Sequence, residues 1–238
     1  MVKPPSPTEL PRFDEWTRPD EGRRPLTRDQ VVRAALEVLD EGGLEDLTMR
    51  RVGDHLGVKS ASLYWHVRNK EELLNLVADA ICAELRPPAP TSDDWRQQFK
   101  ELAREYRRVL EAHRDGALLL ATTLPIGPNR LRLAELSLAT LLRAGYEPQV
   151  VARAGLLFAD YVTNFVVEES RAQAMTAAFP TADDSADRNP MRDWFAALPP
   201  DEFPSLIALT PHLTDPDSEE RFEFGMSVLL AGLEHLED

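Results

Sequence analysis

The stretch Leu47–Lys70, LTMRRVGDHLGVKSASLYWHVRNK, decides the fold. Thr48 is a cap residue that opens a short helix holding Val52, His55 and Leu56, and Gly57 closes it. Val58 and Lys59 make a turn, and Ser60 caps the next helix, predicted to run to about His66. Two short helices joined by a glycine turn, the second with a small polar start, suit the major groove of B-DNA. That groove is about 12 Å wide, so the tip of a helix meets base edges. Five basic side chains, Arg50, Arg51, Lys59, Arg68 and Lys70, stand in this stretch against one acid, Asp54.

Outward from it the chain reads as helical. Thr27-Arg-Asp-Gln30 forms a capping box, Val31, Val32, Ala35, Leu36 and Leu39 follow at helical spacing, and Gly42-Gly43 stops this first helix. Asn69-Lys-Glu-Glu72 is a second capping box, starting a fourth helix over 70–86 with Leu73, Leu74, Val77, Ile81 and Leu85 inside and Pro87 and Pro88 ending it. Trp95, Phe99, Leu102, Tyr106 and Val109 mark a long helix, Leu131 to Arg143 another ended at Gly145, and Pro148 begins an apolar helix to about Ser170. Residues 177–217, rich in proline and aspartate, are predicted as a long loop with one short helix near Met191 to Leu198; Ser218 to Leu236 is the last helix. Strand alternation and two-residue hairpin turns are not found. The expected fold is all-α: a flexible arm over 1–25, a three-helix helix-turn-helix domain over 26–70, and a larger helical domain over 71–238, joined through the fourth helix.

The 238 residues carry 27 Lys and Arg against 41 Asp and Glu, a net charge of −14, with 43% hydrophobic and 29% charged residues. Such a composition is ordinary for a globular chain and argues against nucleic-acid binding by the whole surface. The charge is uneven: residues 87–238 hold 14 basic and 25 acidic side chains. The basic stretch is therefore focused, and its acidic surroundings favour one docking orientation. Cys82 is the single cysteine, which excludes an internal disulfide and a multi-thiolate zinc site. The first residues hold prolines and both charge signs but no apolar h-region, so no signal peptide is expected. The longest apolar run, Ala117 to Ile126, is far shorter than the roughly 20 residues a membrane span needs. A cytoplasmic protein with no membrane anchor is predicted.

The whole of Leu47–Lys70, above all Leu-Tyr-Trp-His-Val followed by Asn69-Lys70, resembles the DNA-binding motif of the TetR family of repressors. Read with that resemblance, Thr48 offers a hydroxyl and a helix N-terminus to a phosphate, and Arg50 reaches a guanine edge from the second helix. Lys59, Ser60, Ala61 and Ser62 stand at the tip of the recognition helix, where serine bonds several bases and alanine touches a thymine methyl. Tyr64, His66 and Lys70 anchor phosphates; Trp65 joins this DNA-facing set or packs as a core aromatic, an alternative open for Tyr64 too. Arg51 contacts DNA or pairs with a carboxylate such as Asp54, His55 is a surface or cap residue, and Leu56, Val58, Leu63 and Val67 are core. Arg23 and Arg24 either enter a narrow minor groove or belong to a solvated tail.

Trp95, His113-Arg-Asp-Gly-Ala117, Thr123, Pro125 and Val167-Glu168-Glu169 look like the regulatory domain of the tetracycline-repressor subgroup, so the resemblance covers about residues 26 to 236. It implies a homodimeric repressor of double-stranded operator DNA, released by a small-molecule inducer and controlling a neighbouring transporter or modifying-enzyme gene. In that subgroup a histidine holds the drug as a magnesium chelate, and an asparagine and a glutamine bond it. Aligned on His113-Arg-Asp-Gly116, those positions are Leu120, Leu102 and Leu136, an arginine becomes Leu124, and a pocket phenylalanine becomes Tyr106. The implied ligand set is Leu102, Tyr106, His113, Leu120, Thr123, Leu124, Leu136, Phe158, Asn164 and Glu168. It suits a largely apolar inducer, with no metal and no cofactor. The bland alternative is that the leucines and Tyr106 are ordinary core and Glu168 a solvated charge.

Dimerisation is expected through the 148–170 and 218–236 helices. Val151, Ala154, Phe158, Val162 and Phe165 stripe the first, and Phe222, Gly225, Val228, Leu229, Gly232 and Leu236 the second. Two-fold symmetry then matches two palindromic half-sites. An all-helical enzyme using Tyr106, His113 and Glu168, and a protein-binding adaptor, are the competing readings. No metal-binding pair, glycine-rich phosphate loop or nucleophile with a nearby base is visible in the sequence.

Overall fold

The computed structural model describes residues 26–87, 94–178, 190–215 and 217–235, and among them every regular element is an α-helix. The first is set by its cap. Thr27 Oγ1 accepts the Gln30 amide at 3.2 Å while the Gln30 side chain accepts the Thr27 amide at 2.8 Å, satisfying two donors that a helix start leaves open. From this box runs α1 (Arg28–Gly42).

Thr48 starts α2 (Met49–His55) by accepting the Arg51 amide at 3.2 Å. Gly57, at φ +68°, turns the chain towards α3 (Ser60–Leu63). A Cβ on Gly53 would lie 3.0 Å from the Val58 carbonyl oxygen and 3.2 Å from Ser60 Cα, so α2 meets the turn this closely only because residue 53 lacks a side chain. The expected cap Ser60 is instead the first residue of α3; Lys59 is the cap, without a side-chain bond. The helix is also shorter than expected, ending at Leu63 rather than about His66. The His66 and Val67 amides both turn back onto the Leu63 carbonyl, at 2.8 and 3.0 Å, and buried Leu63 and Val67 pin that tightened turn.

In α4 (Lys70–Cys82) the Asn69 side chain accepts the Glu72 amide at 2.8 Å. The return half of the expected capping box is replaced. Glu72 accepts the Arg68 amide at 2.6 Å and pairs with Arg28 at 2.7 Å, tying the start of α4 to that of α1. The helix stops at Cys82, short of 86, because the Ala83, Glu84 and Leu85 amides tighten onto carbonyls three residues back. Leu85 therefore lies beyond the helix, half-buried.

After these come α5 (Trp95–Glu111), α6 (Gly116–Thr122), α7 (Pro128–Arg143) and α8 (Pro148–Ala178). No helix was expected at α6, whose seven residues are too few for a period to show. α8 continues to Ala178 rather than stopping near Ser170.

Two compact units divide at Val166. In the first, α4 is central and packs on α1, α5, α6 and α7. Its buried face carries Leu73, Val77, Ala78 and Ile81, but also Asn75 and Asp79. Asn75 Oδ1 accepts the Leu124 amide at 3.1 Å. Asp79 Oδ1 accepts the Asn129 and Arg130 amides at 2.9 and 3.0 Å, and Oδ2 the Asn129 side chain at 2.8 Å. The start of α7 is thus capped by another helix. Gly127 makes this approach possible, since a Cβ there would sit 2.1 Å from Asp79 Oδ1.

The second unit holds α9 (Pro190–Ala196), α10 (Pro204–Leu213) and α11 (Ser218–Glu234). α10 lies where a loop was expected. Pro204 takes a first-turn position that needs no amide; Pro211 forgoes one bond, and the Thr210 and Thr214 hydroxyls each bond the carbonyl four residues back at 2.8 Å. Arg192 on α9 donates to Thr214 Oγ1 at 3.2 Å.

The apolar stripes fall differently from expectation. Val151, Ala154, Phe158 and Val162 are buried within the chain itself, whereas Leu156 and Leu157 of α8 are exposed. On α11 Phe222, Met226, Leu230 and Leu233 are buried, and Phe224 and Val228 are exposed; Leu236 lies outside the described residues. By length and composition Pro148–Met175 could cross a bilayer, with a mean hydropathy of 1.4. Its buried residues nevertheless recur every three or four positions, the amphipathic pattern of a helix packed on a core.

Asp79→Ala strips the cap from three donors and is expected to cost about 2 kcal/mol, read as a lower urea midpoint. Gly127→Ala should cost a comparable amount, because its methyl lands on the same carboxylate. The double variant should lose clearly less than both together; additive losses would show that the two positions do not meet.

Candidate functional site

The turn around α3 presents one exposed edge. Tyr64 and Trp65 are 54% and 72% exposed, so neither packs as a core aromatic, while Leu63 and Val67 beneath them are buried. Lys59, Ala61 and Lys70 are exposed, and Ser60, Ser62 and His66 half-buried. Arg50 extends from α2 with 89% of its side chain exposed and only a 3.7 Å approach to Asp54. Arg51 pairs with Asp46 at 3.2 Å rather than with Asp54, and His55 bonds Glu37 at 2.7 Å. Thr48 spends its oxygen as the α2 cap, leaving its hydroxyl proton. Arg23 and Arg24 lie outside the described residues.

A second feature lies among α5, α6, α7 and the first part of α8: a cavity of about 620 Å³, within the range of small-molecule sites. Phe99, Leu102 and Tyr106 line it from α5, Leu120 from α6, Ser137 and Leu138 from α7, and Phe158, Val162 and Asn164 from α8; Thr123 and Pro125 stand at the loop between α6 and α7. Cys82, the last residue of α4, reaches the same wall. Tyr106 Oη and Thr163 Oγ1 share a hydrogen bond of 3.0 Å. Burial pushes the Tyr106 phenol and the Cys82 thiol each up to about 12, so both stay protonated near neutral pH. Leu120, at the position of the subgroup's metal-binding histidine, offers no donor, and among the described residues no three His, Cys, Asp or Glu side chains gather to hold a metal. The residues present do not fit a magnesium chelate.

Four residues of the implied ligand set stand elsewhere. His113 is a strut: Nδ1 lies 3.1 Å from both Asp40 oxygens and Nε2 3.3 Å from Glu84. Its neighbours hold the same end of α1, with Arg114 donating to the Glu41 carbonyl at 2.9 Å and Asp115, at φ +54°, accepting the Leu44 amide at 2.8 Å. Leu124 works through its backbone, donating to Asn75 and accepting from Arg130. Leu136 is half-buried outside the cavity lining, and Glu168 is exposed and paired with Arg171. Tyr106 and His113 therefore share no site of the kind the enzyme reading needs.

Sequence reasoning passed over Asn75, Asp79, Phe99, Ser137 and Arg130. Asn75 and Asp79 did leave a signal, two polar residues four apart on an otherwise apolar helix face, a pattern that buried polar groups explain only by finding partners. Arg130 left none, because its role follows from the fold of the loop before it.

A family model of bacterial regulatory proteins, tetR family, matches residues 31–77, and one of the tetracyclin repressor-like C-terminal domain matches residues 87–236. An HTH-type transcriptional regulator of Saccharopolyspora erythraea is 34% identical over 221 residues, covering 92% of this chain and 90% of the relative. The class G tetracycline repressor protein of Vibrio anguillarum is 32% identical over 213 residues, covering 89% and 95%. The solved structure of the Streptomyces coelicolor TetR family protein ActR in complex with actinorhodin is similar with a TM-score of 0.75 at 36% identity, over 89% of this chain and 96% of that one. Reading motif, helical cavity and matches along nearly the whole length of these relatives agree, and the chain belongs to the TetR family of bacterial regulatory proteins.

Proposed function

We propose that this chain is a cytoplasmic, ligand-released transcriptional repressor. Two copies place their heads, residues 26–70, on the half-sites of a palindromic operator and let go when a small, largely apolar molecule fills the cavity of the 71–238 domain. The observation that carries this reading is the course of α4. It begins at Lys70 on the exposed edge and ends at Cys82 in the cavity wall. Between them, Asn75 and Asp79 fasten it to the segment from Leu124 to Arg130. A ligand that moves this segment moves the helix that carries a DNA anchor, and it does so only to the extent that it binds the two arrangements unequally.

Small-molecule release is supported by the similarity to ActR, solved with actinorhodin, and repression by that to the class G tetracycline repressor. Exposed Leu156 and Leu157 on α8, and Phe224 and Val228 on α11, support a homodimer, since apolar side chains left open on helices call for a covering partner. A neighbouring efflux or modifying-enzyme gene is the proposed target.

With an operator recovered by selection from random duplex DNA, Tyr64→Ala and Lys70→Ala should weaken binding to all sequences alike. Lys70→Ala should also lower the salt slope by about 1 per head. Arg50→Ala should cost about 1–3 kcal/mol and relax preference at one base pair. Unchanged affinity in all three folded variants rejects the reading edge.

Filling the cavity by Leu120→Trp or Tyr106→Trp should abolish release by an inducer that acts on the parent chain, and release should proceed equally with and without a chelator. Release that depends on added magnesium, or that both tryptophans leave unmoved, rejects the cavity as the inducer site.

A further inference from the structure

The cavity wall holds one group that a purely apolar ligand leaves unanswered. Arg130, in the first turn of α7, directs its guanidinium onto the loop before it. Nη1 donates to Thr123 Oγ1 at 2.8 Å and to the Leu124 carbonyl at 2.9 Å, and Nη2 donates to the Leu120 carbonyl at 3.1 Å. All three acceptors are neutral. A guanidinium has five N–H donors, so Nε–H and one Nη2–H have no acceptor among the described residues. Nε and Nη2 share the edge of the fork that a carboxylate takes with two parallel bonds.

The protein supplies no direct acceptor of opposite charge at that edge. Asp79 lies within electrostatic reach, but its oxygens are taken up by the Asn129 and Arg130 amides and the Asn129 side chain. Cys82 and Tyr106 are also in reach of Arg130, yet burial leaves both neutral near pH 7. Asp160 borders the cavity but is exposed and makes no ion pair with Arg130. Burial holds the guanidinium below its usual range, against a smaller upward pull from Asp79, as expected of a cation partly drawn out of water without a direct ion pair.

We infer that the inducer carries a carboxylate, which docks on Nε and Nη2 of Arg130 while an apolar ring system lies among Phe99, Leu102, Leu120 and Phe158. The inference rests on the reading of this cavity as the inducer site. It also explains how such a ligand would be felt. Arg130 holds the backbone of Leu120 and Leu124, and Leu124 in turn is held by Asn75 of α4, so an anion drawn to that guanidinium acts on the segment that fixes α4.

The test compares anthraquinone-2-carboxylate with its neutral, similarly shaped carboxamide, titrated into the full chain at pH 7.5 by calorimetry. The carboxylate should bind at least tenfold tighter than the carboxamide. Arg130→Gln should bring that ratio near one, and Arg130→Lys, which keeps the charge but loses the fork, should leave an intermediate ratio. Equal binding of both compounds to the parent chain overturns the acid inference while leaving the cavity reading intact, and so does a tenfold preference that survives Arg130→Gln. Binding of neither compound rejects the cavity reading and this inference with it. Because the first comparison uses the parent chain alone, a variant that fails to fold does not shield the inference.

Discussion

Asp79 is a carboxylate buried on the central helix, and such a group is tolerable only if its charge is met by donors. It finds them at the start of α7, in two backbone amides and one side-chain amide. Those amides would otherwise be unsatisfied ends of a helix that Pro128 opens without a capping side chain. Each side solves the other's problem. The solution demands that Gly127 carry no Cβ, so one glycine, one aspartate and the position of α7 are mutually determined. The cavity walls formed by α6 and α7 are therefore referenced to α4 and not simply packed near it.

The same helix is tied to the reading head at its other end. Glu72 bridges Arg28 of α1 and Arg68, and Asn69 caps the first turn. A second tie runs through the loop of residues 113–115, where His113, Arg114 and Asp115 hold Asp40, the Glu41 carbonyl and the Leu44 amide. Asp115 sits in the left-handed region to do so, a conformation aspartate tolerates better than most side chains. Polar struts of fixed length, beside the apolar packing of α1 on α4, thus connect head and cavity. Displacement at one end must either travel or break specific hydrogen bonds, which is the mechanical requirement of a switch with two discrete arrangements.

Much of this was legible in the residues alone. Caps are local chemistry, so Thr27, Thr48 and Asn69 announced their helices within a residue, and the 47–70 motif placed the exposed edge. What escaped depends on distance in the chain. The seven-residue α6 and the proline-bearing α10 are stabilised by their surroundings, and their own spacing carries too little signal. The apolar stripe of α8 was correctly apolar but assigned to a partner, because periodicity shows that a face is buried without saying by what. The resemblance places His113 in the cavity by analogy with its neighbours in the motif; seven residues later the chain does reach the cavity, at Leu120, while His113 itself turns to α1. Asn75 and Asp79 were visible as anomalies on an apolar face, but their partners lie some 50 residues away in the chain.

The departures from the tetracycline-repressor pattern fit together as a change in where positive charge comes from. In that subgroup, as the resemblance implies, a histidine brings a divalent cation to the ligand, and the cation answers the ligand's anionic oxygens. Here the matching residue is Leu120, and no donor cluster for a metal stands among the described residues. The Leu120 carbonyl nonetheless receives Nη2 of Arg130, so a fixed cation is set against the same turn of α6. A metal must be recruited and lost with its ligand, whereas a guanidinium is always present and always charged. On the carboxylate inference, the site exchanges dependence on a metal for a resident cation that Asp79 reaches electrostatically without pairing directly, and a bound carboxylate supplies the direct partner. On that inference, acids are favoured over neutral ring systems of the same shape because the Arg130 fork keeps N–H donors that no neighbouring acceptor takes up in the empty cavity.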